Sequence, residues 1–225
     1  MDRAYYQQPR AEMLSLIPLH RKKILEIGCA EGTFAKSIDG AEEIWGVEPD
    51  AQAAVIASRR LSNVLNGTFE STKQHLPFQY FDVVVCNDVI EHMPDHDEFL
   101  SQVREYIVPN GCLIGSLPNI RYYWSLFDLV LAKDWKYEDT GILDRTHLRF
   151  FTEKSLRRSL SYNGFVIEEL RGIKKQVTRA WSKKSVVYSV TALSAIALTL
   201  GYFKDIRFLQ FAFRASLNPT RKVIA

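Results

Sequence analysis

Short apolar runs bounded by turn residues recur through the first half of this 225-residue chain. They fall at 23–27, 43–48, 63–66, 81–86 and 112–117. Each is too short for a buried helix and ends in Gly, Pro, Asn or Asp, which marks strands. Between them lie stretches with helical spacing at 32–39, 51–61 and 97–107. Asp50 stands where it can cap the second of these, and Pro109-Asn110-Gly111 closes the third. Strand and helix in alternation predict an α/β fold with a parallel sheet.

The pattern changes after residue 118. Residues 120–132 are aromatic and read as helical, and a loop follows to Asp144. Thr152 can cap a helix that stops at Asn163-Gly164, and 165–170 reads as a strand. Residues 172–184 are basic and read as a mobile loop, whereas 186–203 carry no charge. The alternation around Arg207–Phe213 predicts a last strand over 206–214. The whole is read as a single domain, 1–225. Residues 1–20 are its leading segment, 21–118 its core, 119–150 an insertion and 151–225 its C-terminal part.

Charge sharpens this division. Residues 1–144 carry 13 Lys+Arg against 22 Asp+Glu, and residues 145–225 carry 16 against 4. A basic C-terminal part suits phosphate groups or an anionic surface. The run 186–203 meets the minimum length for a membrane span. A span would strand residues 206–214 on the wrong side of the membrane. The expectation is therefore a helix packed on the sheet's neighbours, on a second copy of the chain or on a lipid surface. The three cysteines, Cys29, Cys86 and Cys112, are widely spaced and read as core thiols. Their use, with an N-terminus that is no signal peptide, points to a reducing, cytoplasmic setting.

The chemistry concentrates at the first strand end, Ile24-Leu25-Glu26-Ile27-Gly28-Cys29-Ala30-Glu31-Gly32. A dinucleotide fingerprint wants small residues at the first, third and sixth positions, but Thr33 holds the sixth. The pattern acid-x-Gly-x-small-x-Gly fits instead, through Glu26, Gly28, Ala30 and Gly32. This resembles the nucleotide-binding turn of the class I S-adenosylmethionine-dependent methyltransferases. The segment Phe81–His92, Leu117-Pro118-Asn119 and Leu143–Thr152 are similar to a branch of that family. That branch includes ubiquinone-biosynthesis-like O-methyltransferases and enzymes of sugar and surface-polysaccharide clusters.

The resemblance implies a Rossmann-like sheet of seven strands with helices on both faces. The last strand is antiparallel and sits between the fifth and sixth. It also implies S-adenosyl-L-methionine as cofactor and S-adenosyl-L-homocysteine as product. Glu26, Gly28, Ala30 and Gly32 would form the turn, Glu48 would meet the ribose, Phe69 would lie beside the adenine, and Asn87 would stand at the fourth strand. Tyr6 and Arg10 would close over the cofactor. Where the family often has an Asp for the adenine amino group, this chain has Thr68.

A hydroxyl acceptor must lose its proton, and histidine suits that task near neutral pH. His92 and His147 stand where a base is wanted, with His92 favoured because it follows the fourth strand. His20, His75 and His96 read as surface residues, and no cluster has metal-ligand spacing along the chain. Asn119, Tyr123 and Arg145 are candidate acceptor contacts, with arginine available for a phosphate. The favoured activity is O-methylation of a small polyhydroxylated acceptor such as a sugar or surface-polysaccharide intermediate. Methylation of a quinone or other aromatic hydroxyl is the alternative, and a non-catalytic partner subunit that binds the cofactor is a further one. No nucleic-acid partner is expected, because the fourth strand lacks the Pro-Pro-aromatic and Pro-Cys elements of base methylation.

Overall fold

The computed structural model describes residues 10–20, 22–175, 194 and 201–218. One seven-stranded sheet organises them, in the order β3-β2-β1-β4-β5-β7-β6. Its strands are β1 (Lys23–Ile27), β2 (Glu43–Glu48), β3 (Asn63–Asn66), β4 (Phe81–Asn87), β5 (Ile107–Pro118), β6 (Phe165–Lys175) and β7 (Phe208–Leu217). β1 to β5 pair in parallel, and β7 runs antiparallel between β5 and β6. The sheet is the one the sequence predicts.

Alternation along the central strands explains why both faces are covered. Leu25, Ile27, Val84, Cys86 and Leu113 point into one core, and Ile24, Val83, Val85, Cys112 and Ile114 into the other. The first core is shared with α4 (Phe69–Thr72), α5 (His96–Val103) and α7 (Glu153–Tyr162). The second is shared with α1 (Ala11–Leu14) and α2 (Thr33–Lys36), through Met13 and Phe34, and with Leu16 just after α1. The remaining helices are α3 (Ala51–Ala57), beside β2, and α6 (Tyr123–Phe127), beyond the end of β5.

The caps at Asp50 and Thr152 sit where the sequence puts them, and Asp95 adds a third. Asp50 accepts from Ala53 N at 2.8 Å, and Asp95 accepts from Asp97 and Glu98 N at 3.1 and 2.9 Å. Thr152 and Ser155 form a reciprocal capping box on α7.

Several boundaries differ from expectation. Residues 172–175 are not a loop: they continue β6 along β7, with Gly172 opposite Phe211 and Lys175 opposite Phe208. Ile173 among them is buried in the second core. Pro109-Asn110-Gly111 does not end a helix but lies inside β5, opposite a register break between Phe81 and Val83. The helix of 120–132 is a short α6 followed by a π-helical turn, closed by Lys133 at φ 55. The anticipated helix over 186–203 lies outside the described residues, except for Ser194 and the turn at 201–203. No helix among the described residues is long and apolar enough to cross a membrane.

Candidate active site

The carboxyl ends of β1, β2 and β4 open onto a cavity of about 340 Å³. Ligands bind at this place in open α/β sheets. The turn after β1 is held by Gly28 N and Cys29 N, which donate to Val47 O at 2.8 and 3.1 Å. Gly28 has φ +72 and Gly32 has φ +74, dihedrals that a Cβ disfavours. A Cβ on Gly28 would also stand 2.8 Å from Val89 Cγ2. Ala30 shares the left-handed region at φ 48.

Glu48 ends β2 and locks this turn. One carboxylate oxygen accepts from Ala30 N at 2.8 Å, the other from Asp50 N at 2.9 Å. Burial raises its pKa, against those two N–H bonds. Each oxygen keeps lone-pair capacity for a ligand hydroxyl. Glu26 is 3% exposed, and its Oε2 has no hydrogen-bond partner. Burial pushes its carboxyl up to about 8, which Arg10 partly offsets. Asn87, at the end of β4, is also buried, and neither atom of its amide has a partner. Buried polar atoms without partners are uncommon, and here they line a cavity.

Arg10 reaches across from the leading segment, as anticipated. It pairs with Asp88 and donates to Ser116 Oγ at 2.9 Å. Asp88 also accepts from Ser116 Oγ at 2.7 Å and from Gln210 Nε2 at 3.1 Å. Asp88, Ser116 and Gln210 went unremarked in the sequence. Their signals were an acid directly after a strand and a lone amide in an otherwise apolar alternation. Tyr6 lies outside the described residues.

Phe69 borders the cavity, but its ring is buried and edge-on to Phe99 and Tyr106, with centroids 5.2 and 5.8 Å apart. It is part of the wall rather than an open stacking platform. Thr68 borders the cavity too, and its hydroxyl caps α4 by accepting from Ser71 N at 3.3 Å.

A second cavity of about 150 Å³ adjoins the first, and Asp88 and His92 line both. His92 and His147 meet there, ring centroids 4.8 Å apart. The loop carrying His147 is pinned to the turn after β4, because Leu148 N and Arg149 N donate to Glu91 O at 2.9 and 3.0 Å. His92 Nδ1 lies 3.1 Å from Thr146 O, and His147 Nδ1 lies 2.9 Å from Ile142 O. A carbonyl only accepts, so each Nδ1 carries a proton, and neutral His92 keeps its lone pair on Nε2. Burial, then the neighbouring His147, lowers the pKa of His92.

Five sequence expectations need correction. Asn119 is not an acceptor contact: it is fully buried, and its amide donates to Asp205 O and Phe208 O, both at 3.0 Å. It ties the end of β5 to the start of β7. Arg145 is not in the cavity but pairs with Asp139 at 2.9 Å on the surface, and Tyr123 packs against Trp124 and Phe127. His96 is not a plain surface residue, since its ring packs edge-on to Phe151 at 5.2 Å. Donor atoms of Glu91, His92 and His147 lie within 4.8 Å of one another, a group able to hold a metal ion. Spacing along the chain hid it because His147 arrives from a distant loop.

The donor set also bears on the cofactor. Glu26, Glu48 and Asp88 line the larger cavity against one arginine, Arg10, which is engaged by Asp88. That balance suits a ligand with cationic groups and a ribose better than a diphosphate.

Comparison with known proteins agrees. Residues 2–170 match a family described as "Methyltransferase domain". A mitochondrial ubiquinone biosynthesis O-methyltransferase of Schizosaccharomyces pombe is 30% identical over 68% of this chain and 58% of its own length. A ubiquinone biosynthesis O-methyltransferase of Rhodopseudomonas palustris is 27% identical over 71% of this chain and 64% of its own length. The chain thus spans about three fifths of these curated relatives. A crystal structure of a SAM-dependent methyltransferase from Archaeoglobus fulgidus superposes with a TM-score of 0.64 at 20% identity, covering 95% of this chain and 94% of that one.

Proposed function

This chain belongs to the class I S-adenosylmethionine-dependent methyltransferases, and from that premise we propose that it methylates a hydroxyl oxygen of a small acceptor seated beside His92. The observation that carries this reading is the place of His92. It lines both cavities, with Nδ1 tied to Thr146 O and Nε2 left with a lone pair.

S-adenosylmethionine, when bound, supplies a methyl group already activated on a sulfonium. The chain's own work is then to position, desolvate and remove a proton. Glu48 is set to accept from the ribose hydroxyls, while Glu26 and Asn87 offer partnerless polar atoms to the rest of the cofactor. Asp88, held by Arg10, Ser116 and Gln210, forms the wall between the two cavities. His92 Nε2 takes the proton as the acceptor oxygen gains its methyl group. Burial keeps the imidazole neutral, the form that a base needs.

Glu91, Asp144, Thr140, Gln210 and two histidines line the second cavity. That polarity favours a polyhydroxylated acceptor, such as a sugar or surface-polysaccharide intermediate. The names of the relatives favour a second reading, a quinone precursor or other phenol. A methyl-release assay against a panel of polyols and phenols tests the proposal. S-adenosylhomocysteine formed with one class, and lost in His92→Asn, supports it. Cofactor binding without turnover of any hydroxyl compound overturns it in favour of a non-catalytic subunit.

A further inference from the structure

The second cavity carries carboxyl groups and no lysine or arginine among its described lining residues. Two of those carboxylates are already paired with arginines, Asp88 with Arg10 and Asp139 with Arg145 at 2.9 Å. Among the described residues no lysine or arginine pairs with Asp144. Its Oδ1 accepts from Thr146 N at 2.8 Å and Thr146 Oγ1 at 2.6 Å, which hold the carboxylate charged and below its usual range.

Glu91 adds an independent observation. It is 1% exposed, it lines this cavity, and neither carboxyl oxygen has a hydrogen-bond partner. A buried carboxyl left without partners costs stability, and an incoming hydroxyl or amine would relieve that cost. At about 150 Å³ the cavity has room for about one six-membered ring, the size of guest held by an engineered cavity of similar volume.

We propose that this cavity selects neutral or cationic acceptors rich in hydrogen-bond donors, through Glu91 and Asp144, and rejects acceptors that carry a phosphate or carboxylate near the reacting hydroxyl. The proposal rests on the methyl-transfer reading for the cavity's role, but the charge rule is a property of binding and is testable by binding. It also withdraws the phosphate contact first expected of Arg145, because Arg145 is held by Asp139 and no arginine is among the described lining residues.

The test uses the full chain loaded with S-adenosylhomocysteine and two matched sets of probes. One set is catechol, 3,4-dihydroxybenzylamine and 3,4-dihydroxybenzoate. The other is glucose, glucosamine and glucose 6-phosphate. Affinities come from ligand-observed NMR titration. In whichever set binds, the anionic member should bind at least about tenfold more weakly than its neutral partner, the scale of one like charge acting across a partly buried site. Asp144→Asn keeps an oxygen to accept from Thr146 but removes the charge. It should bring the anionic and neutral members to within about threefold. Equal affinity of the anionic and neutral members in the unsubstituted chain overturns the charge rule, and so does failure of all six to bind. Methylation is then measured separately with S-adenosylmethionine. Charge-selective binding without methylation keeps the rule and defeats the methyl-transfer reading. Methylation with no charge preference does the reverse.

Discussion

Replacing Glu26 by Gln should remove a pH dependence from the stability of the ligand-free protein. Burial holds this carboxyl at about 8 in the fold, against an ordinary value of 4.5. The folded chain therefore keeps a proton that the unfolded chain has released between those two pH values. Stability falls as pH rises wherever the folded state binds more protons. The contribution is fully present below pH 4.5, declines by up to about 1.4 kcal/mol per pH unit, and is gone above about pH 8. Integrated over the window, this is of the order of 5 kcal/mol. Glutamine keeps the shape and a hydrogen-bonding oxygen but cannot ionise. Urea melts of both proteins from pH 5 to 9 should show the parent losing stability relative to Glu26→Gln, with the gap opening across that window. Glu91 slopes the same way in both proteins and cancels in the difference. Parallel profiles, with no widening gap, would refute the reasoning. A cationic ligand reverses the preference by favouring the carboxylate. Calorimetry of S-adenosylmethionine binding near pH 7 should therefore show proton release in the parent and less of it in Glu26→Gln.

Gly28→Ala should cost about 1–3 kcal/mol in thermal or urea unfolding, because it places a Cβ at φ +72 and 2.8 Å from Val89 Cγ2. It should also abolish cofactor binding by calorimetry, and tight binding by a folded variant would count against the turn's role. His92→Asn should lower turnover by about 10²–10⁴-fold with the cofactor dissociation constant unchanged. In the parent, the acid limb of kcat/KM should lie below pH 6.5, because burial and His147 depress the pKa of His92. Asn119→Ala should destabilise by roughly 1–3 kcal/mol, since it strips a donor from two part-buried carbonyl groups. Its KM for acceptor should move little at temperatures where it stays folded.

The first five strands were legible because each is an apolar run closed by a turn residue, the local signal of a buried parallel strand. β7 was legible as a strand, but its place between β5 and β6 came through family resemblance; pairing partners distant in the chain leave no local trace. The tail of β6 was misread because Arg171, Lys174 and Lys175 look like a solvated loop, and only β7 alongside makes them an edge strand. The turn residues, Glu48 and Arg10 could be read from the sequence. The meeting of His92 with His147 could not, since it depends on two N–H donors from a distant loop finding Glu91 O. Asn119 misled because a polar residue at a strand end looks alike whether it serves a ligand or a backbone carbonyl.

The position of β7 sets an order of assembly. In the sheet β6 touches no strand but β7, and β7 is the last described strand to leave the ribosome. Until residues 208–217 emerge, β6 has no neighbour and β5 has a bare edge. The strands that build the cofactor cavity, β1, β2 and β4, are complete by Asn87 and need nothing from that late segment to pair. The second cavity does need it, because Leu209 and Gln210 form part of its wall. A nascent chain thus acquires its cofactor half first and its acceptor half only when β7 adds to the open edge of β5 and β6 joins on its far side. That step has high contact order and is slow. During it, the open edge of β5, with Leu113, Ile114 and Leu117, is the surface most exposed to mispairing with another chain.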